Sequence, residues 1–467
     1  MESHLNDGTT APSRADLVVR GCDAVCLDAP DTVLRDAAIA INGNRIVWIG
    51  PATGSATIAA RKIIEAPGRI AMPGLIDGHV HTAQQLLRGR IAALARRRSL
   101  KVPIWKNYLI PFEAVLEPED VYLSGLACYA NMIMVGTTCF AEAGGPHPDE
   151  MGRAALDVGI RGFVSLNTAD QGQGLPPAMM MTTDAALAAN VDLVERWQTQ
   201  DQDRVQAWLS LRQIMVCSPE LIRDMAGAAR ELDTKLHTHL CEGTYEIDYA
   251  LEHFGQRPPE FMLDIGAFDR HLHCAHSVIL TNEDIDLYTR NQPSACHCAF
   301  NNYHIGWPQL LLMWRRGLDV ALGTDGAAAW GSLDIFQVAH AARIGQQLVA
   351  GTPTHHRTVT SGEELIHVAA NGGARALALG RDIGSLEAGK KADIILVTAD
   401  DIDQLPPADP LFTVGNTVVG RDVQTVIVDG RVVMRDRLLE TIDLVEIRRK
   451  LDARMPILLE RFNAMIS

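Results

Sequence analysis

The sequence predicts an α/β protein: a (β/α)8 barrel of the TIM type, with a small composite β-sandwich domain formed by both termini. Three observations lead to this fold class. Between about residues 71 and 379, short β-type segments alternate with amphipathic segments of helical length. Eight such β segments in about 300 residues match the usual size of this barrel. Further β-rich runs lie on both sides of the alternating region.

Composition and charge exclude several classes of protein. The chain has 467 residues, of which 47% are hydrophobic and 21% charged, as in ordinary soluble globular proteins. The formal net charge of −15 argues against a nucleic-acid-binding surface. Met1–Thr10 lacks the features of a secretory signal, and no run of about 18 apolar residues could span a membrane. Nine cysteines without CxxC pairs favour buried, reduced thiols, so we expect a cytoplasmic protein.

The N-terminal region is predicted to contain a disordered tail over residues 1–14, followed by short strands over residues 15–70. The Asn42-Gly43-Asn44 sequence is a typical turn between two antiparallel strands. Hairpin chemistry between short β-type runs favours a small antiparallel sheet over the start of a parallel one. The runs are Leu17–Arg20, Ala24–Leu27, Ala38–Ile41 and Arg45–Gly50.

The barrel is predicted over residues 71–379. A doubly wound sheet is the alternative, but no Gly-x-Gly-x-x-Gly motif follows an early strand. After the strand that ends at the first histidine pair, the expected strands are Gly136–Ala141, Gly162–Leu166, Val205–Ser210, Lys235–Leu240, His271–His276, Gln292–His297 and Val320–Asp325. The clearest amphipathic segments between them are Glu119–Val135, Asp184–Gln198, Glu220–Leu232 and Gln309–Arg316.

The C-terminal region returns to β-type sequence over residues 380–442. A hairpin is predicted around Asp429-Gly430, because this dipeptide separates two β-rich runs. Together with residues 15–70, this region is expected to complete one composite β-sandwich. Residues 443–467 are predicted to form a terminal helix.

The end of the first barrel strand carries two histidines, His79 and His81. Residues i and i+2 of a strand project to the same face, so the two imidazoles would converge on one point. Other strand ends, which meet at the active-site face of a barrel, supply further candidates. These are His237 and His239, then His271, His273 and His276, and finally Asp325. Three histidines and one aspartate suit a zinc- or iron-type ion with an open position for water.

Periodicity leaves several of these choices open. His237 and His239 share one strand face, so their spacing does not decide which of them would bind an ion. His271 and His273 compete with His276 in the same way. Asp325 has an alternative role as the N-cap of a following helix, which is a common use of aspartate after a turn.

Two residues near these candidates are suited to acid–base chemistry. Glu242 lies three residues past His239, where it could take a proton from water and pass it to a leaving group. His276 could hydrogen-bond the nucleophile or a developing oxyanion. A metal ion would lower the pKa of a bound water towards about 7, so hydroxide could form at neutral pH.

Together these motifs resemble the amidohydrolase superfamily, specifically its branch of cytosine, S-adenosylhomocysteine and s-triazine deaminases and chlorohydrolases. The resemblance covers nearly the whole chain, and the combination of motifs carries it. The motifs are Pro73–His81 with Leu86–Gly89, His237–Glu242, Ala275–Thr281, Leu322–Gly326 and Leu386–Leu396. The resemblance also implies the barrel and the composite sandwich.

The resemblance implies a ligand set for one divalent metal ion per chain, with zinc favoured over iron or manganese: His79, His81, His239 and Asp325. It implies catalytic roles for Glu242 and His276, and for Asp325 in addition to metal binding. No lysine ends the fourth strand, where relatives with two ions carry a carbamylated one, so a single ion is expected. Members of this family often form dimers or larger homo-oligomers, and we expect the same here.

The expected function is metal-dependent hydrolytic deamination of a nitrogen heterocycle of the purine, pterin, pyrimidine or s-triazine type. The enzyme class would be a hydrolase of carbon–nitrogen bonds other than peptide bonds. Removal of chloride or an alkylamine, or opening of a cyclic amide, is the alternative, and a non-catalytic scaffold is a remote one. Gln213–Pro219 and His297–Gly306 depart from the patterns of S-adenosylhomocysteine deaminases, which argues against that substrate.

Candidate substrate-binding residues lie in segments expected at the barrel mouth. Trp105 could stack on a planar ring, and Glu113 is similar to a substrate-contacting acid of relatives. The full set is Gln84, Trp105, Glu113, Asn301, Asn302, Tyr303 and His304.

Overall fold

The chain begins with five β strands in a computed structural model that describes residues 10–199 and 203–466. Of the predicted N-terminal tail, residues 1–9 lie outside the described residues. The strands are β1 (Arg14–Val25), β2 (Val33–Asn42), β3 (Arg45–Pro51), β4 (Ala59–Glu65) and β5 (Arg69–Pro73). The predicted turn between β2 and β3 is confirmed. The sequence predicts two strands where β1 is one, because a bulge at Gly21, with a φ of +81°, bends the strand without ending it.

Nine short parallel strands follow and occupy eight positions around a barrel. They are β6 (Leu75–Val80), β7 (Thr137–Glu142), β8 (Arg161–Val164), β9 (Val205–Ala207), β10 (Leu209–Leu211), β11 (Leu236–Leu240), β12 (Leu272–His276), β13 (Ser294–His297) and β14 (Val320–Leu322). Only Trp208 separates β9 from β10, and the two share the fourth position: β9 pairs with β8, and β10 pairs with β11.

The order of these strands distinguishes the two predicted folds. Each strand neighbours the next one in the chain, as in a barrel, whereas a doubly wound sheet reverses direction at a switch point. Past the end of β14, the Asp325 amide donates a hydrogen bond of 2.9 Å to the His79 oxygen in β6. The last strand is thereby joined to the first at their C-terminal ends. The predicted (β/α)8 barrel is confirmed.

Helices follow most barrel strands, and apolar residues bury them against the barrel. The long connection after β6 contains α1 (Arg90–Ala95) and α2 (Ile110–Glu113), which lie near the barrel mouth. The other helices of this region are α3 (Pro118–Met134), α4 (Pro148–Val158), α5 (Thr183–Gln198), α6 (Pro219–Glu231), α7 (Thr244–Phe254), α8 (Pro258–Asp264), α9 (Asn282–Asn291), α10 (Ala299–Ile305), α11 (Leu310–Arg315), α12 (Ile335–Gln346), α13 (Gly362–His367) and α14 (Gly373–Ala376).

The end of the chain returns to the N-terminal β unit. The elements are β15 (Ile394–Thr398), α15 (Pro410–Asn416), β16 (Val423–Val428), β17 (Arg431–Arg435), β18 (Leu438–Leu439) and α16 (Leu444–Met465). Strand β15 pairs with β5, so hydrogen bonds unite both ends of the chain in one mixed sheet of nine strands. Its buried core includes Ile39, Ile394 and Ile427. The predicted hairpin at Asp429-Gly430 is confirmed, with positive φ at both residues.

None of the helices within residues 10–199 and 203–466 is both long enough and apolar enough to cross a membrane.

Candidate active site

Five side chains from four strand ends converge at the C-terminal face of the barrel. His79 lies in β6 and His81 directly follows it, His239 lies in β11, His276 ends β12, and Asp325 follows β14. The Nε2 atoms of His79 and His81 lie 3.7 and 3.6 Å from Asp325 Oδ1, and the Nε2 atoms of His81 and His239 lie 3.2 Å apart. Two groups of three residues share His79: the first adds His239 and His276, and the second adds His81 and Asp325. Within each group the ligand atoms lie within 4.8 Å of one another.

These side chains fit a divalent metal ion. Burial, with the neighbouring charges of the site, lowers the pKa of His79, His81 and His239 well below the usual value, so the three rings are neutral at pH 7. His79 Nε2 is buried and has no hydrogen-bond partner among the described residues. The lone pairs of these neutral ring nitrogens face one another and a carboxylate, so no hydrogen-bond donor from the described part of the chain lies between them. A bound cation would accept these lone pairs. Three imidazoles and a carboxylate are a usual zinc ligand set.

The opposite side of two of these rings is held by hydrogen bonds. His239 Nδ1 donates to the main-chain oxygen of Arg212 at 2.8 Å, which leaves Nε2 of His239 as the nitrogen with a lone pair. His79 Nδ1 lies 2.9 Å from His237 Nε2. The structure thus brings His239 into the cluster and places His237 behind His79 as a supporting residue. Strand periodicity alone does not distinguish the positions of these two histidines.

The other competing histidines lie away from the cluster. His273 is buried, with Nε2 2.9 Å from the Gly78 oxygen and Nδ1 2.9 Å from Ser294 Oγ. His271 contacts the Thr234 oxygen near the N-terminal end of β11. Of the three histidines in the sixth strand segment, only His276 reaches the cluster.

Asp77 is a buried carboxylate beneath the cluster that sequence reasoning missed. It accepts hydrogen bonds from the Thr324 hydroxyl, the Thr324 amide at 3.1 Å and the His79 amide at 3.2 Å. It therefore ties β6 to the loop that carries Asp325, a residue that is itself held at a φ of +61°. Burial raises the pKa of Asp77 to about 7. An aspartate within an apolar strand was the available sequence signal.

Glu242 lines the same cavity as the cluster, and two other residues hold it. Gln213 Nε2 donates to Glu242 Oε2 at 2.6 Å, and the Glu242 amide donates to Glu246 Oε2 at 2.9 Å. Tyr245 lines the cavity beside them. Sequence reasoning identified Glu242 but missed Gln213 and Glu246, because neither lies at the spacing of a ligand pair.

His276 is fixed by Asn302. Its Nδ1 donates to Asn302 Oδ1 at 3.1 Å, and Asn302 Nδ2 donates to the His276 oxygen and to His297 Nδ1, both at 3.0 Å. Burial opposes a charged ring, but the carboxylates of Glu242 and Asp325 and the sulfur of Cys298 outweigh it and raise the pKa of His276. His276 is thus suited to donating a hydrogen bond.

A cavity of about 580 Å³ opens from the cluster, and most of its wall surface is apolar. Three of the predicted substrate-binding residues line it: Gln84, Trp105 and Asn301. The indole nitrogen of Trp105 is buried without a partner among the described residues, and Asn301 Nδ2 donates to Asp325 Oδ2 at 3.0 Å.

The remaining candidates lie outside this lining. Asn302 supports His276, Tyr303 donates to the Ala342 oxygen at 3.2 Å, and the ring of His304 packs edge-on against Trp330. Glu113 is 1% exposed and accepts hydrogen bonds from Gln84 at 2.9 Å and from Asn167 at 2.8 Å. All of these residues lie in segments predicted at the barrel mouth, but only some of them reach the cavity.

Arg212 is a further residue of the cavity wall that sequence reasoning missed. It follows β10, is 2% exposed, and lies with Nη1 3.8 Å from Glu113 Oε2. Its Nε and Nη1 atoms have no hydrogen-bond partner among the described residues. The only sequence signal was its place at the end of the fourth strand.

The chain is similar to a known family and to named proteins. The profile of the amidohydrolase family matches residues 70–433. A protein of Moorella thermoacetica named 5-methylthioadenosine/S-adenosylhomocysteine deaminase is 32% identical over 442 residues, covering 94% of this chain and 99% of its own. A protein of the same name from Desulfitobacterium hafniense is 31% identical over 439 residues, with 92% and 95% covered.

Solved structures share the whole fold. A zinc-bound adenosine deaminase from Xanthomonas campestris superimposes with a TM-score of 0.87 at 26% identity, covering 97% of this chain and 100% of its own. A zinc complex of atrazine chlorohydrolase from Arthrobacter aurescens has a TM-score of 0.82 at 22% identity, with 94% and 100% covered. At 22% identity, the similarity to the chlorohydrolase supports a shared fold and nothing further.

Proposed function

The chain belongs to the amidohydrolase family, and from this premise we propose that it is a metal-dependent hydrolase that deaminates a nitrogen heterocycle. One observation carries the proposal: neutral, inward-facing histidines and a carboxylate meet in the same cavity as a held glutamate. The relatives named as deaminases support the same reaction class.

In this proposal one zinc ion is held by His79, His81, His239 and Asp325. Support comes from the short distances between their ligand atoms and from the unpaired Nε2 of His79. When bound, the ion would act as a Lewis acid and lower the pKa of water to about 7. The hydrogen bond from His239 to the Arg212 oxygen keeps that ring in the tautomer that metal binding needs.

The chain's own residues then move the protons. Glu242 accepts a proton from water as the water oxygen bonds to the aminated ring carbon, and His276 donates a hydrogen bond to that oxygen. Of the two protons that water loses, one goes to the ring nitrogen beside the reacting carbon and the other to the amine nitrogen. The carbon–nitrogen bond breaks, and ammonia leaves. Gln213 keeps the Glu242 carboxylate at the reacting carbon throughout.

The test is a Glu242→Gln variant of the zinc-loaded protein. Glu242 is not among the proposed ligands, so zinc content should stay near one ion per chain while ammonia release from heterocyclic amines falls at least 10²-fold. Glu252→Gln is the matched control, because Glu252 is exposed on α7, the helix that follows Glu242. Full activity in Glu242→Gln would overturn the proposed mechanism. Measuring chloride and alkylamine release in the same assays distinguishes the alternative leaving groups.

We also propose a homo-oligomeric protein that works in the reducing cytoplasm. All nine cysteines are buried and none forms a disulfide among the described residues, as expected for a reduced protein. The oligomer is proposed by analogy with the family alone. Light scattering of the purified protein measures the mass directly, and a monomer at micromolar concentration would contradict the oligomer.

A further inference from the structure

We propose that Arg212 and Gln213 recognise a lactam edge next to the reacting carbon, so that the substrate is a cyclic acylguanidine, a 2-amino-4-oxo heterocycle. This inference rests on the proposed deaminase function and narrows its substrate class. It starts from two neighbouring side chains of the cavity wall that are buried and incompletely hydrogen-bonded.

Arg212 is the donor of this pair. The side chain is 2% exposed, lines the cavity, and has no hydrogen bond from Nε or Nη1 to any described residue. A buried guanidinium with free N–H groups is unfavourable unless a ligand or water supplies acceptors. The hydrogen bond between the Arg212 oxygen and His239 places this residue directly beside the metal-binding cluster.

Gln213 is the acceptor. Its amide nitrogen donates to Glu242, because a carboxylate can only accept, and this leaves Oε1 buried without a partner among the described residues. The side chain is 1% exposed and lines the same cavity. The free oxygen lies one atom away from the nitrogen that holds Glu242. A substrate N–H that donates to this oxygen would therefore lie next to the aminated carbon, where Glu242 accepts the proton of the attacking water.

A simple anion fits this wall poorly. The charge of Arg212 already has a counterion, since Glu113 is buried with Oε2 3.8 Å from Arg212 Nη1. The free Gln213 oxygen and the Glu242 carboxylate beside it would repel a substrate carboxylate. A neutral group with one hydrogen-bond acceptor and one donor would pair with the Arg212 N–H groups and with Gln213 Oε1 and would add no charge to the site. A lactam, with its C=O beside N–H, is such a group.

The order of the contacts specifies the ring. In the proposed binding mode Glu242 serves the aminated carbon, Gln213, which holds Glu242, accepts from the next ring position, and Arg212 donates to the position after that. The substrate would thus carry C–NH2, N–H and C=O consecutively. Isocytosine, guanine and pterin contain this sequence of groups. Adenosine and 5′-methylthioadenosine have no ring carbonyl, and the ring nitrogen between the amine and carbonyl carbons of cytosine carries no hydrogen.

Isocytosine and cytosine provide a matched pair of probes, because they are isomers with the amine and the carbonyl exchanged. We would measure ammonia release by the zinc-loaded protein from isocytosine, guanine and pterin, and from cytosine, adenosine and 5′-methylthioadenosine. We expect the best acylguanidine to exceed every member of the second set in kcat/KM. A site built to bind a substrate N–H rejects an analogue without it by about 10⁴-fold.

Arg212→Met tests the contribution of the arginine. The variant should lower kcat/KM for the best acylguanidine about 10²-fold and shrink its advantage over the second set by a similar factor. Because Arg212→Met leaves Glu113 buried without its counterion, the double variant Arg212→Met/Glu113→Gln tests the same loss with the charge pair removed. Arg223→Met, at an exposed position on α6, is the matched control. Zinc content and the unfolding midpoint are measured for all variants.

The outcomes distinguish a failure of the acylguanidine inference from a failure of the proposed deaminase function. Turnover confined to adenosine, 5′-methylthioadenosine or cytosine would overturn the acylguanidine inference and leave the deaminase proposal standing. Ammonia release from neither set by zinc-loaded protein would overturn both. A folded, zinc-loaded Arg212→Met/Glu113→Gln variant with unchanged discrimination would remove Arg212 from substrate recognition.

Discussion

Gln213 donates a hydrogen bond from Nε2 to Oε2 of Glu242 at 2.6 Å, across the gap between the fourth and fifth barrel strands. The Glu242 amide is held in turn by Glu246, at 2.9 Å. Gln213 thus holds the carboxylate of Glu242, and Glu246 holds its backbone, before any substrate arrives. Such preorganisation matters because catalytic rates fall steeply when a reacting group is displaced by about 1 Å.

Replacing Gln213 by Leu should therefore lower kcat by about 10- to 100-fold. The proposed zinc ligands are unchanged in this variant, so metal content should stay constant. The control is Gln198→Leu, since Gln198 is exposed at the end of α5. Steady-state kinetics and elemental analysis provide the measurements. Unchanged kcat would show that Gln213 does not position Glu242.

His237 should tune metal affinity, because its Nε2 lies 2.9 Å from His79 Nδ1 and both rings are fully buried. His237→Leu removes the acceptor that orients His79, and we expect zinc to bind about 10- to 100-fold more weakly. His237→Gln retains an acceptor and should recover part of the affinity. Competition with a chelator of known affinity gives the constants.

The control for this prediction is His253→Leu, at an exposed position on α7. Equal zinc affinity in His237→Leu and the control would mean that His79 is oriented by the barrel alone. Recovery by glutamine distinguishes a hydrogen-bond effect from a simple packing effect, because leucine fills space without accepting a hydrogen bond.

The barrel and both hairpins were predictable because their signals are local. The Asp429-Gly430 turn, for example, is encoded by two adjacent residues with positive φ. The single strand β1 was not predictable in the same way, since Gly21 is equally typical of a turn that ends a strand. It remains within one strand because β2 pairs with it on both sides of the bulge, from Leu17 to Val25.

The candidate histidines were predictable from their places at strand ends, and the family resemblance selected among them, but their supporting residues were not predictable. Arg212 and Gln213 acquire their roles from contacts with Glu113 and Glu242, which lie far away in sequence. Asp77 meets Thr324 only when the last barrel strand returns to the first. No periodicity within one segment contains this information. The same is true of His237, whose partner is 158 residues away.

A buried ion pair should stabilise the contact between the barrel and the terminal sheet. Arg161, at the start of β8, donates to Asp393 at 2.7 and 3.1 Å and to Asp429 at 2.9 Å. Arg161 and Asp393 are almost fully buried, so Asp393→Ala would leave the arginine charge insufficiently compensated. We expect the free energy of unfolding to fall by about 3–5 kcal/mol.

The matched control for this pair is Asp192→Ala. Asp192 forms an exposed ion pair with Arg196 at 2.8 Å, and such pairs contribute about 0–1 kcal/mol. Urea unfolding monitored by circular dichroism compares the two variants with the parent protein. Similar small losses in both variants would show that Asp429 alone compensates Arg161.

Glu142 should make stability depend on pH. This side chain ends β7, is 1% exposed, and accepts a hydrogen bond from the Thr82 amide at 3.0 Å. Its Oε1 atom has no partner among the described residues. Burial, with the nearby Glu113, raises the pKa of Glu142 to about 8, so the folded protein keeps this carboxyl protonated at neutral pH.

The direction of the effect follows from the pKa difference between the two states. The unfolded chain releases the Glu142 proton near pH 4.3, whereas the folded protein holds it until about pH 8. Between these values the folded state binds more protons, so the contribution of Glu142 to stability falls as pH rises.

The Glu142→Gln variant tests this effect, because glutamine has the same shape as glutamate but no proton to lose. From pH 5 to pH 8 its free energy of unfolding should therefore rise relative to the parent by about 3–4 kcal/mol. Urea unfolding at several pH values measures this difference, with Glu195→Gln, at an exposed position on α5, as the control. Parallel pH profiles for the parent and Glu142→Gln would show that Glu142 is ionised in the folded protein at neutral pH.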